Sequence, residues 1–165
     1  MKSSSLFLAA VSVALLSAQA GPAQAELLTQ KTLPAALALE IAHTAYDVCT
    51  QQGYHVSVAV VGLAGETVVA LRGDGASPHT FENAQRKAYT ARTFRIPSGE
   101  FAQRVKDNPT SGQAQLANVI AIQGAVPIKA GDAVIAAIGV SGAPGGEKDE
   151  ACAKAAIDKV ADQLK

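Results

Sequence analysis

The chain has 165 residues with 14 basic and 14 acidic side chains, so it carries no formal net charge at neutral pH when its three histidines are neutral. That balance argues against nucleic acid as the main partner, and no DNA-binding signature is present. With no tryptophan, three tyrosines and four phenylalanines, the chain cannot wrap a large planar ligand in aromatic walls of its own.

Lys2, the apolar run from Leu6 to Leu16, and the small residues Ala23 and Ala25 before Glu26 read as a secretory signal peptide over residues 1–25. The run is well short of the roughly 20 residues that span a bilayer, and no later segment comes close. Residues 26–165 are expected to form one ordinary domain, secreted or periplasmic.

Thr32 and Pro34 open a helix whose apolar positions Leu37, Ile41, Ala45 and Val48 recur at helical spacing, and Gly53 closes it. His43 shares the opposite face with Glu40 and Asp47, as a solvated contact does. His55 to Val61 and Glu66 to Arg72 read as two antiparallel strands joined at Gly62–Gly65, with His55 at the edge where its strand begins. Arg72-Gly-Asp-Gly75 makes a turn, and its Arg-Gly-Asp tripeptide needs no other explanation.

A helix from about His79 to Phe94 follows, with Ser77 as cap, Pro78 in its first turn and Phe81, Ala84, Ala88 and Ala91 buried. Ser98 opens a short helix to about Val105, and Lys106 to Gly112 reads as a mobile surface loop. Strands are expected at Asn118–Ile122, Ala125–Lys129 and Asp132–Val140. A glycine-rich loop, Ser141 to Gly146, then leads into a last helix with Ile157, Val160 and Leu164 as its buried stripe. The order α-β-β-α-α-β-β-β-α predicts an α+β domain, with a mainly antiparallel sheet of about five strands packed by helices.

His79 falls at a helix start, where unpaired N–H groups and the positive dipole end disfavour imidazolium and so favour the neutral form that a metal ligand needs. The ordinary reading of such a histidine is an exposed polar residue. Arg86, Lys87, Arg92 and Arg95 give the same helix cations for carboxylates. Cys49 and Cys152 each lie near the apolar side of a predicted helix; one disulfide and two buried thiols are both open readings. Neither cysteine has a zinc-site partner at the required spacing. No Gly-x-Ser-x-Gly elbow and no phosphate loop is present, so no catalytic residues are assigned.

Val56-Ser-Val-Ala-Val-Val61, Arg72-Gly-Asp-Gly75, Pro78-His-Thr80, Arg86-Lys-Ala-Tyr-Thr-Ala91, Gly124-Ala-Val-Pro-Ile128, Ile138-Gly-Val-Ser-Gly142 and Lys148-Asp-Glu-Ala-Cys-Ala153 together resemble the GlcG/HbpS-like family. The likeness runs from the first helix to the last. It implies an α+β subunit in homo-oligomers, the octamer being the size considered. In the secreted branch it implies haem held through an axial histidine for capture, transfer or redox sensing. His79 is then the first candidate for the iron, His55 the second and His43 the third, with Arg72, Lys87 or Arg92 meeting a propionate. Two other functions accompany that reading. One is an accessory or enzyme domain for a small hydroxyacid or corrinoid, using the loops Gly124–Ile128 and Gly139–Gly142. The other is a ligand-free oligomer that meets a sensor or membrane protein.

Overall fold

The computed structural model describes residues 25–165, so the expected leader lies outside the described residues except for Ala25. In chain order the elements are α1 (Ala35–Gln51), β1 (Ser57–Val61), β2 (Thr67–Arg72), α2 (Pro78–Phe94), α3 (Ser98–Asp107), β3 (Ala125–Ala130), β4 (Ala133–Ser141) and α4 (Gly146–Lys159). The strands form one antiparallel sheet in the order β2-β1-β4-β3. No described helix is long and apolar enough to cross a membrane.

The α+β class is as expected, but the sheet has four strands where the sequence suggested about five. Asn118–Ile122 is not a strand, because its backbone finds partners on α2. The Ile120 N–H donates to the Thr90 hydroxyl at 2.9 Å, Arg86 donates to the Val119 carbonyl at 3.0 Å, and Asn118 turns the chain with φ 64°. Side chains of one helix thus replace the ladder that a strand would need.

β1 is buried along its whole length, because both faces of the central strands are covered. Val58 and Val60 pack with Ile128, Ile138 and Val140 under α1 and α4, while Val61, Ala125 and Ala137 meet Ala88 and Ala91 of α2. The approach on the α2 side is close enough that a side chain at Gly139 would strike the Ala84 carbonyl. α1 and α4 are joined by a disulfide between Cys49 and Cys152, both fully buried, with Cα atoms 5.6 Å apart. That decides between the two readings of the cysteines.

Local corrections follow from packing. Phe81 and Ile157 are half-buried instead of buried, and Val160 and Leu164 pack beyond the end of α4. α3 runs on to Asp107, held at one end by Phe101 stacked on Phe94 at 4.2 Å between ring centres. Neither expected serine cap makes a side-chain cap bond. Ser98 lies inside the helix, and its hydroxyl accepts the Ala125 N–H at 2.9 Å.

Candidate functional site

The residues expected to meet a ligand fall into four places. At one end of the sheet the first residue of β1, Ser57, pairs with the last residue of β2, Arg72. The Ser57 hydroxyl also lies 2.8 Å from the Thr80 hydroxyl, which itself donates to the Ser77 carbonyl at 2.7 Å. These contacts set the starts of β1 and α2 side by side, so His55, Arg72 and His79 belong to one end of the molecule, and all three are exposed.

The glycine turn wraps over His55. Gly75 has φ +72°, and an added Cβ would stand 3.0 Å from His55 Nδ1. Nδ1 lies 2.9 Å from the Asp74 carbonyl. A carbonyl only accepts, so Nδ1 carries the proton and the lone pair of the neutral ring is on Nε2. Arg72 spends one donor on the Ala76 carbonyl at 3.0 Å, which closes the same turn and leaves the rest of its guanidinium uncommitted. Sequence reasoning missed Tyr54 and Lys148 here: the Lys148 ammonium sits 5.7 Å above the Tyr54 ring, beside His55. Their signal was faint, one aromatic beside a histidine and one lysine opening a helix.

Among the described residues no three His, Cys, Asp or Glu side chains converge to hold a metal ion, so each histidine at this end offers a single donor. His43 stands elsewhere. It is exposed on α1, with Nδ1 2.9 Å from the Asp47 carboxylate.

Lys87 is turned into the interior. Its side chain is 3% exposed, and its ammonium donates to Asp149 Oδ2 at 2.9 Å and to the Val140 carbonyl at 3.0 Å. Asp149 also accepts the Ala143 N–H at 2.9 Å, so one carboxylate ties α2 and α4 to the loop after β4. Burial raises its pKa, and the Lys87 charge and hydrogen bonds oppose the rise. Arg86 is partly committed as well, to Val119 and Glu82. Arg92 lies 13 residues beyond His79 on α2, about 20 Å along the axis at 1.5 Å per residue. The two therefore do not share one site.

The glycine loops offered for the enzyme reading are closely filled by neighbouring backbone and side chains. A Cβ on Gly124 would meet Lys87 Nζ at 2.7 Å, and one on Gly142 would strike the His55 carbonyl. These glycines serve close packing.

Glu150, next to the ion pair, is half-buried, and its Oε2 is out of water with no hydrogen-bond partner. Burial raises its pKa, opposed by Gln123, the Gly99 and Gly124 amides and the Lys87 charge. A raised carboxyl pKa means that the folded state takes up the proton more readily than the unfolded chain. The contribution is thus fully present below the ordinary glutamate range and is lost as pH rises through the folded pKa. Glu150→Gln is expected to raise the melting midpoint by a few degrees at pH 8 and to change it little at pH 4. Melting curves at the two pH values check this, and a midpoint lowered at pH 8 counts against it.

The family profile described as haem degrading protein HbpS-like matches residues 33–158. The crystal structure of HbpS is 38% identical, with a TM-score of 0.78, covering 82% of this chain and 94% of that one. A double mutant of Streptomyces reticuli HbpS is 37% identical, with a TM-score of 0.78 and coverage of 86% and 97%. The crystal structure of a PduOC–haem complex shares the fold at 22% identity, with a TM-score of 0.70 and coverage of 76% and 93%. The comparison with curated proteins gave no match. A profile match over residues 33–158, and solved structures 37–38% identical that cover 82–86% of it, place this chain in the HbpS-like family.

Proposed function

We propose that the chain is an exported haem-binding protein that offers a histidine at the β1–α2 end to the iron as an axial ligand. The observation that carries the reading is the hydrogen bond from His55 Nδ1 to the Asp74 carbonyl, which orients the ring and leaves Nε2 as the donor. Protein histidines that bind metals are usually held in this way by a carbonyl or carboxylate on the other nitrogen. His79 is the first candidate from the sequence and lies at the same end, but among the described residues no hydrogen bond holds its ring. Arg72, with donors to spare in the turn over His55, and Lys148, above the ring of the adjacent Tyr54, are cations suited to propionates. When bound, haem supplies a redox-active iron.

The family's description supports the assignment, as does the presence of haem in a relative of the same fold. The buried disulfide fits an oxidising compartment, which agrees with the leader read from the sequence. Because His55, Arg72 and His79 are all exposed, a second copy of the chain is the natural cover for the open face of the haem, hence a homo-oligomer.

A hemin titration followed by absorbance, with His55→Ala, His79→Ala and His43→Ala in parallel, tests the proposal. We expect a saturable Soret shift in the wild type. It should weaken by roughly tenfold or more in His55→Ala, less in His79→Ala, and not at all in His43→Ala. A shift retained in all three variants, or none in the wild type, removes the assignment.

A further inference from the structure

At the end of α2 away from the histidines, a groove of about 870 Å³ opens between the C-terminus of α2, the β1–β2 turn, the β3–β4 hairpin and residues 29–31. Its lining includes four cations, Lys31, Arg92, Arg95 and Lys129, against two carboxylates, Glu66 and Asp132. None of the four cations is in an ion pair among the described residues. Glu66, which would be expected to neutralise Arg92, is held on its own turn, where Oε2 accepts the Ala64 N–H at 2.9 Å.

Arg92 is half-buried, and its Nε is out of water with no hydrogen-bond partner among the described residues. Burial, and then the neighbouring charge of Arg95, lower its pKa, with Glu66 opposing. Arg95 itself ends α2 in the left-handed region, at φ 59°, a conformation that costs a side chain such as arginine about 1–2 kcal/mol. The helix dipole accounts for cations at a C-terminus. It does not account for a guanidinium nitrogen withdrawn from water without an acceptor, which costs free energy until an acceptor arrives.

We propose that this groove is a second ligand site, for a multivalent oxyanion whose planar carboxylate or phosphate groups are gripped by Arg92 and Arg95, with Lys31 and Lys129 at the rim. Guanidinium forks match such groups two bonds at a time. Leu63, Ala64, Val134 and Ile135 give the groove an apolar side, so an organic acid fits it better than a bare ion.

The test is calorimetric titration of the full protein with citrate and, separately, with inorganic phosphate, against sodium chloride at matched ionic strength. Saturable binding is expected for the two oxyanions and not for chloride, with the tighter arm naming the carboxylate or the phosphate class. Arg92→Gln is expected to weaken binding about tenfold or more, and Arg92→Lys, which keeps the charge without the fork, to lie between. Hemin titration of Arg92→Gln should match wild type, so that failure here and failure of the haem assignment read out separately. Equal heats for all three salts overturn the proposal. So does an Arg92→Gln variant whose oligomer mass changes while its anion binding does not, because the groove is then an interface between copies.

Discussion

Replacing Cys49 and Cys152 together by alanine is expected to cost about 4–5 kcal/mol of stability and to lower the melting midpoint by on the order of 15 °C. The size follows from the loop that the bond closes: the cysteines are 103 residues apart, so the bridge denies the unfolded chain much of its freedom. It joins α1 to α4, whose common face carries Leu37, Ile41, Ala153 and Ala156 onto the sheet. Both sulfurs lie in residues of zero exposure, so dithiothreitol alone should leave the bond intact and reduce it only when denaturant opens the core. Thermal melts of wild type and the double variant make the measurement. A midpoint within two or three degrees of wild type would mean that the bridge does not constrain the unfolded chain. Hemin binding is expected to survive, since the tie from Cys49 to the histidine end is the Tyr54 N–H to Cys49 carbonyl bond at 3.1 Å, a backbone contact that alanine keeps.

Much of this arrangement was legible in the sequence, because it is local. Apolar spacing gives α1, the β1–β2 hairpin and α2, and the motifs spread along the chain give the family. What was not legible depends on residues far apart. His55 looks like an edge residue until Asp74, 19 positions later, brings its carbonyl to Nδ1. Asn118–Ile122 has the β-branched content of a strand, yet Thr90 and Arg86 take up its backbone groups from 30 and 33 residues away. Arg92 and His79 look like neighbours on a basic helix, and only the length of that helix separates them. The sequence does contain one signal that was passed over. Lys87 stands on the stripe Ala84, Ala88, Ala91, where a helix of small residues meets a sheet, and a lysine there must find a buried partner.

That partner is Asp149, and breaking the pair from either side is expected to cost about 3–5 kcal/mol. Lys87→Met leaves a buried carboxylate with only the Ala143 N–H, while Asp149→Asn leaves a buried ammonium with only the Val140 carbonyl. The defect of Lys87→Met should depend on pH. Burial already raises the Asp149 pKa, and without Lys87 the rise is unopposed by any cation at bonding distance. The carboxyl is then protonated without penalty at low pH, and the defect of Lys87→Met grows as pH rises from 5 to 8. Lys87→Met with Asp149→Leu removes both charges and should recover most of the loss. Recovery is not complete, because the Ala143 N–H and the Val140 carbonyl lose their partners. Urea denaturation of the four proteins at pH 5 and pH 8 measures the two losses and the recovery. If the single variants lose less than 1 kcal/mol, or the Lys87→Met defect does not grow with pH, then the pair does not hold α4 and the loop after β4 against α2.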